Sequence, residues 1–423
     1  MEIEKIYPNV AEHMNYRILK NNLHRPCPIC FNGTVEILHT QKFVIPEGYP
    51  LPEIYDVVCC IKCGFVYADT SARQEDYDLY YQNFSKYEDP VISTGSGNTA
   101  LDKERCEGVA AEVTRFIPDT QSSIIDIGCA NGGVLSALQN MGYKELTGLD
   151  PSRACINYIK QRYNISRAIV GGIFSQNDEL VQEKFDCAIL SGVIEHIYNI
   201  KQAILNIRNL LKTDGILYLE APDASHYSDH DVVPYYYFDS EHINHFDKYS
   251  LKNLLTLNNF DCISYIEKET RVSKSNVFSV VSIIGKKRPI NNYNEIEPIP
   301  DYTVRNSILK HVKTSELNED SINIKLKPLI DSKYPVIIWG AGNFTMRLLK
   351  GSILKNCNII ALIDNDSGKW GKILYGIPVY SPDKLKELKG TIIICSALYS
   401  EDIYLQIKSM EISNKVVVLK QSH

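Results

Sequence analysis

Residues 226 to 251 read HYSDHDVVPYYYFDSEHINHFDKYSL. Within this stretch Asp239, Glu241, His242 and His245 follow three consecutive tyrosines. The run comes just after Glu220-Ala-Pro222-Asp223, which closes an apolar, strand-like segment. Titratable groups gathered past the carboxyl end of a strand are placed for general acid–base work. An imidazole with an ordinary pKa near ~6.5 can accept a proton at neutral pH. Glu241 and His242 are the expected catalytic pair, and His245 is expected to be structural. His196 follows Glu195 at the end of another buried run, FDCAILSGVIEHI, which carries Ser191. It is expected to face the reacting groups. The plainer alternative is a polar lid loop with solvated histidines.

A second constellation is made of thiols. Cys27-Pro-Ile-Cys30 is answered by Cys60-Ile-Lys-Cys63-Gly64. Two CxxC knuckles can set four thiolates tetrahedrally around one zinc ion. Such a closed site holds a fold and leaves no position for chemistry. Free thiols or a redox CxxC are the alternative, and Cys59 is a second candidate ligand that breaks the spacing. The chain has twelve cysteines. Its N-terminus, MEIEKIYPNV, has neither a basic nor an apolar region of a signal peptide. Both features point to a reducing, cytoplasmic setting rather than a disulfide framework.

The elements that must position these groups begin at Ser123. SIIDIGCANGGVLSALQNMGYKELTGLD has a short apolar run ending in Asp126, a glycine turn, an amphipathic helix and a second strand ending in Asp150. That is the front of a βαβ nucleotide-binding unit, though not with dinucleotide spacing. The glycines are expected to let the backbone approach a ligand. Asp150 can accept hydrogen bonds from two ribose hydroxyls. The alternative is a βαβ turn with no cofactor.

The 423 residues suit two or three domains. The composition, 44% hydrophobic and 23% charged, is that of a globular protein. A net charge of -6 argues against a large nucleic-acid footprint. No apolar run is long enough to span a membrane. We read a zinc-binding module over 1–74, an α/β domain over 75–287, a linker with some helix over 288–331 and a second Rossmann-like α/β domain over 332–423. The α/β domain opens with the aromatic segment EDYDLYYQNFSKYED and closes with two strands, DCISYIEKE and NVFSVVSIIGKK. In the last domain, Gly340-Ala-Gly342-Asn-Phe-Thr345 follows a strand, and Asp364 ends the next one. Thr345 replaces the third glycine of the dinucleotide fingerprint, so a structural or substrate-holding role is expected rather than NAD binding.

DIGCANGG resembles motif I of the class I S-adenosylmethionine (SAM) methyltransferases. The resemblance implies a class I Rossmann-like sheet with SAM held by Asp126, Gly128, Ala130, Gly132, Asp150 and Ser191. The order of the zinc knuckles, motif I, GVIEHI, EAPD, SEHINHF and a C-terminal Rossmann-like domain is similar to that of bacterial nucleotide-sugar C-methyltransferases, over nearly the whole chain. That likeness implies a nucleotide-linked 4-keto-deoxysugar as the substrate. His242 would remove the C3 proton, Glu241 would orient it, and His196 would stabilise the oxyanion. Tyrosines of the aromatic segment, Tyr77, Tyr80, Tyr81 and Tyr87, would join the pocket. The chain departs from the family at Asp239-Ser240-Glu241-His242, where Tyr-His-Glu-His is common. O- or N-methylation of a sugar or other small molecule therefore stands as the alternative. An RNA methyltransferase and a non-catalytic SAM- or NAD-binding protein are the remaining rivals. The expected assembly is a monomer or weak homo-oligomer, with no nucleic-acid or membrane partner.

Overall fold

The computed structural model describes residues 19–45, 48–83, 95–165, 167–175, 180, 185–230, 232–273, 276–289 and 296–420. Strands and helices are numbered separately in chain order. Three sheets organise the described residues.

The first sheet is a small antiparallel one. Its strands are β1 (Leu19–Lys20), β2 (Val35–Lys42), β3 (Ile54–Cys60) and β4 (Val66–Asp69). β10 (Asn244–His245) adds to β4 from far along the chain, pairing Asn244 with Tyr67 and His245 with Val66. The N-terminal module is thus stitched to the segment carrying Glu241 and His242.

The central sheet has seven strands: β5 (Ile124–Ile127), β6 (Leu146–Asp150), β7 (Ala168–Val170), β8 (Phe185–Ser191), β9 (Leu211–Pro222), β11 (Phe260–Arg271) and β12 (Val277–Lys287). Their spatial order is β11-β12-β9-β8-β5-β6-β7. β5 pairs parallel with both β6 and β8, and β8 with β9, whereas β12 runs antiparallel to β9 and β11. The chain leaves β5 toward β6 on one side and later returns to β8 on the other. A crevice opens at such a switch point, outside the carboxyl ends of the strands. Strands β5 and β6 are fully buried runs, as expected for strands covered on both faces. Lys212–Gly215, a turn-like KTDG run, lie inside β9. Asp214 there takes φ 60°, and the β8–β9 register shifts between Phe185 and Cys187.

Helices cover this sheet: α2 (Ala100–Thr114), α3 (Gly133–Asn140), α4 (Arg153–Tyr163), α5 (Ile200–Leu210) and α6 (Lys248–Leu257). An earlier helix, α1 (Gln74–Asn83), carries the aromatic segment. In the span 288–331, expected to be a linker with some helix, a 30-residue helix, α7 (Thr303–Ser332), fills most of the length. Val304, Ile308 and Val312 of α7 pack with the N-terminal sheet, and Ile322, Leu326 and Leu329 pack with the C-terminal domain. Its buried apolar residues form two groups, one at each end, with Leu317 exposed between them.

The third sheet, order β15-β16-β14-β13-β17-β18, comprises β13 (Val336–Trp339), β14 (Ile359–Ile363), β15 (Ile373–Leu374), β16 (Ile377–Tyr380), β17 (Thr391–Ile394) and β18 (Val416–Val418). It is parallel except for β15. Helices α8 (Asn343–Gly351) and α9 (Ser400–Ser409) flank it. Thr345 is fully buried, and its hydroxyl lies against the carbonyls of Gly340 and Cys395. Among the described residues no helix is long and apolar enough to cross a membrane.

Candidate active site

Glu241 is 2% exposed, yet its carboxylate is fully engaged: Tyr80 donates to Oε1 at 3.1 Å and Tyr81 to Oε2 at 3.0 Å. Both tyrosines come from α1, one residue apart, with their rings edge to face at 4.9 Å. Tyr77, a turn earlier, is buried, with its hydroxyl 3.5 Å from the Ser240 carbonyl. Tyr87 lies outside the described residues.

The Glu241 carbonyl accepts from His196 Nδ1 at 3.1 Å. A carbonyl oxygen can only accept, so the His196 proton on that side is fixed at Nδ1. His196 is buried in the turn after β8, with Glu195 Oε1 3.8 Å from its Nε2 and Glu241 Oε2 3.9 Å from its Nδ1. The His242 ring stands edge-on to it at 4.6 Å. Two imidazoles, a carboxylate and two tyrosines therefore converge from β8, α1 and the loop before β10. Glu195 is buried with Oε2 lacking a hydrogen-bond partner, and burial pushes its carboxyl pKa up.

Backbone and side-chain bonds hold these loops together. Ile243 N–H donates to the Glu195 carbonyl at 3.1 Å. The Asn244 amide reaches the Ile197 carbonyl at 2.8 Å. Arg25, two residues before the first knuckle cysteine, donates to the carbonyls of Ala68, Tyr198 and Ile243 and to Asn244 Oδ1. The N-terminal module thus clamps both histidine-bearing loops. His245 is fully buried, edge-on to Tyr227 and Phe238. Its pKa is pushed down to about 3 by burial, as suits a structural residue.

The βαβ residues gather at the carboxyl ends of β5, β6 and β8. Asp150 accepts the N–H of Ala130 and of Ser152, each at 2.8 Å. Asp126 is buried, and burial pushes its pKa up to about 7 against the pull of Arg105. Ser191 donates to Glu220 Oε1 at 2.8 Å and accepts from Arg105 Nη1 at 3.2 Å. The Cβ sides of the turn's glycines face protein. A Cβ on Gly128 would stand 2.6 Å from Val193 Cγ2, and one on Gly133 would stand 2.6 Å from Cys106 Sγ and 2.9 Å from the Gly95 carbonyl. These two positions are closed by protein, so their glycines let the turn pack tightly under its neighbours.

The sequence reading overlooked Asp102 and Arg105. Asp102 accepts the N–H of Gly95 at 3.0 Å and of Gly97 at 2.7 Å, while Arg105 Nε reaches its Oδ1 at 3.2 Å. Together they dock the glycine–serine segment over the βαβ turn, where Gly133 N–H donates to the Gly95 carbonyl at 2.8 Å. An Asp and an Arg three apart on one helix face was the available signal.

The knuckle thiols meet. Cys27 and Cys63 Sγ are 3.6 Å apart, and Cys30 and Cys60 Sγ 3.5 Å. All four sulfurs lie within 4.8 Å of one another. A tetrahedron with metal–sulfur bonds of about 2.3 Å has edges of about 3.8 Å, so the set fits one ion. Cys59 points away, toward the Gly64 carbonyl at 3.4 Å.

Comparison with known proteins bears on the central and last sheets. Residues 101–265 match the model of a methyltransferase domain, and residues 332–418 match a family described as C2185-like, N-terminal. The chain is similar to a probable (S)-tetrahydroprotoberberine N-methyltransferase 2 of Papaver bracteatum, with 31% identity over 25% of this chain and 30% of that protein. It is also similar to malonyl-[acyl-carrier protein] O-methyltransferase of Bacillus anthracis, with 27% identity over 24% and 38%. The chain therefore spans about a third of the length of these curated relatives. Among solved structures, a 1,6-didemethyltoxoflavin-N1-methyltransferase of Burkholderia thailandensis aligns at TM-score 0.39 and 16% identity, covering 54% of this chain and 98% of that one. A SAM-dependent methyltransferase of Methanosarcina mazei aligns at TM-score 0.35 and 19% identity, covering 42% and 96%.

Proposed function

We propose that the protein is a SAM-dependent methyltransferase, and that it methylates carbon in a nucleotide-linked 4-keto-deoxysugar. The match of 101–265 to a methyltransferase domain supports the first part. The second part rests on one observation: the Glu241 carboxylate, held by Tyr80 and Tyr81, beside the edge-on pair His196 and His242.

Asp150 would hold the ribose of the cofactor, with Ala130 and Ser152 fixing its carboxylate. SAM would supply an electrophilic methyl group that needs no metal activation. The protein's own task is then deprotonation and alignment. His242 accepts the proton α to the ketone. Glu241, locked by two phenols, orients the histidine loop. His196, with Nδ1 committed to a carbonyl, turns Nε2 toward the oxyanion and, when protonated there, donates to it. Four thiolates, Cys27, Cys30, Cys60 and Cys63, would hold a structural zinc ion that keeps Arg25 in place.

A second reading is methyl transfer to oxygen or nitrogen, as the names of the N- and O-methyltransferase relatives favour. The test is transfer from methyl-labelled SAM to a panel of nucleotide-linked sugars, with the product read by NMR. A new C–CH3 signal on a ketosugar supports carbon transfer; an O- or N-methyl signal replaces it with the second reading.

A further inference from the structure

Asp223, His226 and Asp229 recur every third residue through the turn that follows β9, which is 3-10 helical over Ala224–His226. In that geometry residues three apart eclipse one another. Glu267 of β11 faces the same turn. One ligand atom each from Asp223, His226 and Glu267 lies within 4.8 Å of the others. Asp229 Oδ2 is 2.9 Å from His226 Nδ1. A carboxylate on one ring nitrogen fixes the tautomer and leaves the other nitrogen free to bind a metal.

An independent feature points the same way. Asp223 is 1% exposed. Its Oδ1 accepts Ser225 N–H at 3.0 Å, whereas its Oδ2 is buried with no hydrogen-bond partner. A buried carboxylate oxygen without a donor is costly. Three carboxylates meet here with two ammonium groups: Lys248 Nζ is 3.0 Å from Glu267 Oε2, and Lys310 acts on Asp229. None of these residues belongs to the Glu241–histidine cluster or to the thiol cluster.

We propose that Asp223, His226 and Glu267 bind a divalent cation, with Asp229 orienting His226 from behind. One imidazole with two carboxylates suits Mn2+ or Zn2+, and three protein ligands leave positions for water. The ion would tie the turn after β9 to the face of β11, and Lys248 is its built-in competitor for Glu267.

The test uses full-length protein with its thiol cluster zinc-loaded, titrated with Mn2+ and followed by electron paramagnetic resonance and thermal unfolding. Thiolates favour softer ions, so Mn2+ reports the oxygen–nitrogen site. We expect one Mn2+ per chain and a rise in Tm with its concentration. Glu267→Gln and His226→Asn should each weaken binding by at least about tenfold. Lys248→Met should tighten it several-fold. These side chains are partly exposed, at 33%, 43% and 30%, so the variants keep the fold. No Mn2+ bound at millimolar concentration, or binding as tight in Glu267→Gln as in the parent, would overturn the site. A simple His226–Asp229 ion pair gives the first of these results.

Discussion

Tyr80 donates its hydroxyl to Glu241 Oε1 at 3.1 Å, so a helix near the start of the chain holds a carboxylate 161 residues later. Tyr81 does the same for Oε2. Hydrogen bonds to a charged group are worth roughly 1.5–3 kcal/mol each. Tyr80→Phe with Tyr81→Phe should lower kcat by about a hundredfold while SAM affinity, measured by isothermal titration, stays unchanged. Loss of SAM binding in the double variant would mean that the tyrosines serve the cofactor side.

Asp150 is predicted to carry the ribose. Asp150→Ala removes both a ribose acceptor and the partner of the Ala130 and Ser152 amides. SAM affinity should fall by more than about tenfold, on the scale of one to two charged hydrogen bonds. An unchanged Kd would remove Asp150 from the cofactor site.

The thiol cluster should matter for the fold before it matters for chemistry. Cys63 carries the backbone bond from Asp301, and Arg25 sits beside Cys27 while clamping the histidine loops. Cys30→Ser or stripping by a chelator should release one zinc per chain by elemental analysis. It should also lower Tm and abolish transfer together. Metal loss without a change in Tm would contradict a structural ion.

Acid should destabilise the protein through buried histidines. Burial pushes His311 down to about 4 and His245 to about 3. Their folded pKa values lie below the unfolded value near ~6.5, so the unfolded chain binds more protons. Their contribution is intact above pH ~6.5 and is lost as pH falls toward the folded values, by about 1.4 kcal/mol per pH unit for each histidine. Urea midpoints measured between pH 7 and pH 5 should fall accordingly. His311→Gln should flatten the slope.

Strand and helix patterning made much of the fold legible. Apolar runs ending in Asp126 and Asp150 marked β5 and β6, and the closing strand pair appeared as the β11–β12 hairpin. Glu241, His242 and His196 were picked by residue type and place, and the fold brings them together. Other features were not readable, because they depend on long-range contact. The two-residue strand β10 is too short to pattern, yet its pairing with β4, with the Arg25 clamp, lets the N-terminal module grip the site. The span 288–331 looked like a linker because its prolines sit before the helix that follows. The tyrosine register needed the helix pitch of α1 against a loop far along the chain. The Asp102–Arg105 clamp was hidden by its ordinary appearance on a polar helix face.

The most direct test of carbon methylation is exchange of a carbon-bound proton. The protein would be incubated in D2O with S-adenosylhomocysteine and each of several nucleotide-linked 4-ketosugars, with His242→Ala alongside, and followed by NMR. We predict loss of the C3 proton signal with at least one ketosugar, and its retention with His242→Ala. Retention of that signal with every ketosugar by a protein that still binds SAM would contradict the carbanion route.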